Sequence, residues 1–158
     1  MISTQLSELE LIEYWQEGDP TLGGKAAFPI QAEAGAASTA TVYFEQEPGQ
    51  HCGRHTHSAE EIMIILEGDA EVLVEDERRR LSVGGMVLFP ATVAHDVYSV
   101  GDSALRALSF YSSAAVVTTF DDRLAPMDTK IIILGAPLPD AGEEAKTALG
   151  DSSEAEHY

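Results

Sequence analysis

The chain has 158 residues, with 27 acidic against 9 basic side chains and a formal net charge of −18. That length suits one domain with a sizeable core. With three lysines in all, it excludes the classes that reward basic patches, namely nucleic-acid binding and docking on anionic membranes. Without the stretch from Asp140 onward, 21 acids still face 8 bases, so the acidity belongs to the folded part.

Along the chain, Leu6, Leu9, Leu11, Ile12, Tyr14 and Trp15 come first, an apolar-rich segment with acids between them. Its periodicity fits a short helix or an edge strand. Such a segment is expected to cover an open sheet edge or to pair with a neighbouring subunit. There is no apolar leader and no run long enough to span a membrane, and the lone Cys52 has no internal disulfide partner. A cytoplasmic protein is expected from these features.

Strand-like runs then recur at short intervals: Thr39 to Phe44, Glu61 to Leu66, Ala70 to Val74, Met86 to Phe89, and Ala104 to Tyr111. Turn signals separate them, among them Glu67-Gly68-Asp69, Glu75 to Arg78 and Gly84-Gly85. That rhythm predicts an all-β sandwich or barrel. Arg78-Arg79-Arg80 is the one basic run, and the acids Glu75, Asp76 and Glu77 beside it predict local pairing. Beyond Asp122 prolines punctuate the chain at Pro126, Pro137 and Pro139, with Lys130 to Leu134 as an outer strand. The domain is expected to occupy residues 1–139, and the acidic stretch 140–158 to be a disordered tail.

The chemistry concentrates in one place. His55 and His57 stand two apart, so in a strand they share a face and can reach one ion. Glu61 follows and opens the apolar run Ile62 to Leu66. A buried, unpaired carboxylate there would be costly, and a metal would compensate its charge. His95 is a fourth candidate ligand. Imidazoles with one carboxylate suit iron, manganese, nickel, copper or zinc in a reactive site, whereas a structural zinc site would use cysteines. By parity with Glu61, Met63 and Ile65 face inward, as do Val97 and Ser99 with His95; they are pocket walls or plain core. His51 and Cys52 lie near the ligands and are expected to stay outside the ligand shell, with a fifth ligand as the alternative.

Two motifs carry a family resemblance. Gly49, five residues, His55-Thr56-His57, three residues, Glu61, six residues and Gly68 fill every fixed position of the first motif of the cupin superfamily. The second spans 84–99, with Gly84, Pro90 and His95 in register. Thr92 stands where that motif has glycine, and Ser99 where it has asparagine, which puts the local turn and packing in question. The chain thus resembles small single-domain bacterial-type cupins. The resemblance implies a jelly-roll β-barrel of two antiparallel sheets with extra N- and C-terminal segments, and a homodimer. It also implies one divalent transition-metal ion held by His55, His57, Glu61 and His95.

The expected function is a metal-dependent, dioxygenase-like oxygenase acting on a small organic substrate. In that reading Glu61 either binds the ion or takes a proton from a substrate hydroxyl, a dual role carried over by resemblance to quercetin dioxygenase-like cupins. The alternatives are a non-catalytic binding or sensing module, or a Lewis-acid isomerase, lyase or decarboxylase.

Overall fold

The structure is a computed structural model and describes residues 1–135; the expected boundary at 139 and the tail from Asp140 lie outside the described residues. Twelve strands run β1 (Ile12–Gln16), β2 (Asp19–Ala27), β3 (Ala40–Gln46), β4 (His55–His57), β5 (Glu61–Glu67) and β6 (Ala70–Val74). They continue with β7 (Glu77–Leu81), β8 (Met86–Phe89), β9 (His95–Ser99), β10 (Leu105–Tyr111), β11 (Val116–Leu124) and β12 (Thr129–Leu134). They form two six-stranded antiparallel sheets, ordered β1-β2-β3-β10-β5-β8 and β12-β11-β4-β9-β6-β7. This is the expected all-β jelly roll. Among the described residues only two short 3-10 turns interrupt it, Leu6–Glu8 and Ala32–Ala34. No helix among the described residues is long and apolar enough to cross a membrane.

Period-two alternation sets the core. On β5, Glu61, Met63 and Ile65 are buried, while Ile62 and Ile64 face outward. On β10, Leu105, Ala107, Ser109 and Tyr111 turn in. Met63, Ile65, Val72, Phe89 and Leu105 pack as one cluster, the kind of apolar burial that dominates folding energy. Met63 and Ile65 are therefore plain core, whereas Val97 reaches the cavity described below. The N-terminal segment supplies both expected forms, a 3-10 turn and then β1, which pairs with β2 and closes the first sheet at its edge. Three strands escaped the sequence reading: β2, β7 and β11. The arginine run forms β7, its side chains pairing with Glu71, Glu77 and Asp69. These are exposed pairs of small energetic weight.

The motif glycines and their replacements have readable roles. Gly68 adopts φ +79°, and a Cβ there would lie 2.6 Å from the Ala104 carbonyl oxygen, so the β5–β6 turn admits no side chain. Ser99 keeps the backbone pairing that joins the two motifs, since its carbonyl accepts from Gly49 N at 2.9 Å, but its buried hydroxyl finds no partner. Thr92 holds φ +66°, an outlier for a β-branched residue. Its N–H donates to the His57 carbonyl at 2.8 Å, which pins the turn against the ligand strand.

The left-handed conformation costs about 1–2 kcal/mol for a residue with a Cβ, and glycine gives back ~0.5–1 kcal/mol through its unfolded-state entropy. Thr92→Gly is therefore expected to stabilise the protein by up to about 1 kcal/mol, a rise of ~3 °C in Tm by calorimetry. A fall in Tm would show that the Thr92 hydroxyl contact to the Ala91 carbonyl outweighs the strain.

Candidate metal centre

The sheets bring all four expected ligands together. His55 lies directly opposite His95 across β4 and β9, while Glu61 enters from the other sheet, opposite Tyr111 on β10 and Phe89 on β8. All four side chains are buried, and their ligating atoms lie within 4.8 Å of one another. Glu61 Oε1 is 3.0 Å from His57 Nε2 and 3.1 Å from His95 Nε2.

Each imidazole is held by its other nitrogen. His55 Nδ1 donates to the Gly53 carbonyl at 2.6 Å and His95 Nδ1 to the Val93 carbonyl at 3.0 Å. His57 Nδ1 lies 2.7 Å from the Thr118 hydroxyl on β11. A neutral ring that donates from Nδ1 presents a lone pair at Nε2. For His95, Nε2 faces a carboxylate oxygen, an arrangement that calls for a cation between them, either a proton or a metal ion. The anchored Nδ1 atoms also fix ring orientation, as metal-binding histidines require. The residues fit one metal ion, with its identity open.

The surroundings tune the group. Burial pushes the Glu61 carboxyl up, but hydrogen bonds from His57 and His95, with their charge, outweigh it and hold it below the usual carboxylate range. Burial first, then the charges of His95 and His57, put His55 well below its ordinary value. Aromatic rings fence the imidazoles: Phe89 stacks on His95 with centroids 4.1 Å apart, and Tyr111 meets His57 edge-on at 4.8 Å.

Four residues of this neighbourhood were not singled out in the sequence. Thr118 orients His57, and Phe120 packs 4.9 Å from His55, both from the unforeseen β11. Tyr111 turns its hydroxyl toward the site, 3.5 Å from His57 Nε2; burial and the Glu61 charge push its phenol well above the ordinary value, so it keeps its proton. Asp96 is buried and accepts from Gly53 N at 3.1 Å, bracing the residue whose carbonyl holds His55. Only the adjacency of Asp96 to His95 could have drawn attention to it.

His51 and Cys52 stay outside the cluster, as expected. His51 bridges Asp96 at 2.8 Å and Asp19 at 3.1 Å and stacks on Tyr98. Cys52 accepts a hydrogen bond from Gln46 Nε2 at 2.9 Å, and burial holds its thiol well above the ordinary value.

The four residues form the floor of a cavity of about 480 Å³ between the sheets. Its walls are mostly apolar, and no lysine or arginine among the described residues lines it.

A family model for the cupin domain matches residues 42–111, which include both motifs and all four candidate ligands. A comparison with curated protein sequences finds no match. Among solved structures, the chain is similar to oxalate decarboxylase from Lactobacillus farciminis in a formate complex. There the identity is 18%, coverage is 73% of this chain and 34% of that one, and the TM-score is 0.61. It is similar to the Bacillus subtilis oxalate decarboxylase at 22% identity, covering 73% and 30%, with a TM-score of 0.62. A further structure of the Bacillus subtilis enzyme, described for its Mn(II) centres, matches at 18% identity over 68% and 30%, with a TM-score of 0.58. At these identities the likeness shows the fold, and the chain spans about a third of the length of these neighbours.

Because folding holds His55 neutral, the unfolded chain takes up a proton where the folded chain does not. Chelator-treated protein should therefore lose stability as pH falls below about 6.5. For this one proton the slope is at most ~1.4 kcal/mol per pH unit. Urea unfolding between pH 6.5 and 5 is expected to show it, and His55→Gln to remove that share of the slope. An unchanged slope in the variant would mean that His55 protonates freely in the folded state.

Proposed function

From the premise that the chain carries a cupin domain over residues 42–111, we propose that it is a metal-dependent enzyme acting on a small organic substrate, with dioxygenase-type chemistry first. The observation that carries the proposal is three anchored imidazoles and a carboxylate converging on the floor of an apolar cavity. His55, His57, Glu61 and His95 would hold the ion. When bound there, it supplies Lewis acidity and, if redox-active, reactivity toward dioxygen as co-substrate.

The chain's own residues do the rest. Glu61 stands at the cavity floor, where it would either bind the ion or, released from it, take the proton of a substrate hydroxyl. Tyr111 keeps its hydroxyl proton and can donate to a substrate oxygen. The Gly53 and Val93 carbonyls and the Thr118 hydroxyl keep the imidazoles from turning. Apolar walls lower the local dielectric, which strengthens each of these polar contacts.

Decarboxylation is the second reading, supported by the fold shared with oxalate decarboxylases. Oxalate is a dianion, and apart from the ion the cavity offers it no lysine or arginine among the described residues, so we rank this reading lower. A binding or sensing module is the alternative from another class.

Elemental mass spectrometry of untagged protein is expected to find about one equivalent of a redox-active ion per chain, lost in His57→Ala. Oxygen uptake with hydroxyaromatic and diketone substrates should follow, and Glu61→Gln should lower its rate by ~10²-fold or more. One equivalent of zinc would favour isomerase or hydrolytic chemistry instead. Saturable ligand binding without turnover would favour the binding module. Protein that stays metal-free after anaerobic reloading would overturn the proposal.

A further inference from the structure

The metal-ligating side chains of the cavity are gathered in one place. At the floor stand His55, His57, Glu61, His95 and the Tyr111 hydroxyl. The Tyr111 side chain is buried, and its hydroxyl's sole neighbour among the described residues is His57 Nε2 at 3.5 Å, too long for a good hydrogen bond. A buried phenol left this way retains a donor for a ligand oxygen.

Above the floor the walls change character. Ile12 and Tyr14 come from β1, Ile131 and Ile133 from β12, Phe28 from the segment after β2, and Met127 from the β11–β12 turn. β1 and β12 are the edge strands of the two sheets, so the cavity opens where the sheets are least closed. Ile12 is 58% and Met127 43% exposed, large apolar side chains at the rim of an otherwise acidic protein. Exposed apolar groups gathered at a pocket mouth mark a binding site rather than ordinary surface.

We propose, building on the enzymatic reading above, that the substrate is an uncharged, largely apolar molecule of aromatic or alicyclic size, carrying a hydroxyl or carbonyl at one end. The oxygen-bearing end meets Glu61 and Tyr111, and the apolar body lies between β1 and β12. Two features agree on this class. A volume of about 480 Å³ falls within the roughly 300–1,000 Å³ of pockets that bury drug-sized ligands. No lysine or arginine among the described residues lines the cavity to neutralise a carboxylate or phosphate.

The test uses the full chain and 2-naphthol, a neutral fluorescent hydroxyaromatic, with malonate as a small dianion. Metal content is read on the same samples by elemental mass spectrometry. Saturable binding of 2-naphthol with a Kd in the micromolar range is expected, with malonate at least tenfold weaker. Met127→Glu and Ile12→Glu, both at exposed rim positions, are each expected to weaken 2-naphthol at least tenfold and to leave metal content unchanged. Absence of saturable naphthol binding by metal-containing protein, or tighter binding of malonate, would overturn the inference while leaving the metal centre intact. Naphthol binding by protein that holds no metal would support this substrate class and overturn the metalloenzyme reading alone.

Discussion

Everything in this barrel answers to one electrostatic constraint. A carboxylate and three imidazoles are buried together where water cannot solvate them. Burying an ionised carboxylate costs several kcal/mol unless it is paired and hydrogen-bonded, and removing one partner of such a pair typically costs about 3–5 kcal/mol. The fold meets the constraint from both sheets at once. β4 and β9 set His55 opposite His95, and β5 brings Glu61 across from the other sheet. The remaining polar atoms are then satisfied outward: Gly53 and Val93 carbonyls and the Thr118 hydroxyl take the Nδ1 atoms, and Asp96 braces Gly53 from behind. A cation at the centre completes a network whose periphery is already hydrogen-bonded.

Seen this way, the acidic surface and the apolar cavity belong to one electrostatic arrangement. A chain with net charge −18 repels anions over the range of a Debye length, about 8–10 Å at physiological salt. Apart from an ion held by the four ligands, the cavity offers no cationic side chain among the described residues to reverse that repulsion. Neutral molecules escape the penalty at both stages, approach and burial. On the proposed reading, the field of the whole protein and its apolar cavity walls favour the same neutral class.

The site was legible where strand geometry alone decides. His55 and His57 share a face because they are two apart, and Glu61 heads the next strand with Met63 and Ile65 on its inward side. What parity cannot show is position along the barrel axis. The Glu61 end of β5 faces the cavity, while Met63 and Ile65 lie deeper and pack against Phe89 and Leu105. Thr118, Phe120 and Tyr111 were missed because their roles arise from pairings of strands distant in sequence, such as His57 with Thr118. β2, which the sequence reading missed, carries Gly23 and Gly24 in its middle. In the fold a Cβ on Gly23 would come within 2.7 Å of the Tyr14 carbonyl, and one on Gly24 within 2.8 Å of the Glu45 carbonyl. The glycines are there because neighbouring backbones pass close by, which is one use of glycine inside a strand.

A division of labour along the chain follows from the geometry. All four candidate ligands fall within residues 42–111, the segment that matches the cupin domain. Ile12, Tyr14, Phe120, Met127, Ile131 and Ile133, which shape the cavity above them, fall outside it. The candidate ligands thus lie in the matched segment, whereas β1, β11 and β12 add much of the apolar wall that, on the proposed reading, meets the substrate. Fold and metal chemistry can be common to proteins whose substrates have nothing in common, because function resides in the site built on the fold. Here the walls are apolar and two of their strands, β1 and β12, lie at sheet edges, where a substitution meets fewer neighbours. Changes in substrate can then accumulate at these edges without disturbing the buried charge network on which the core depends.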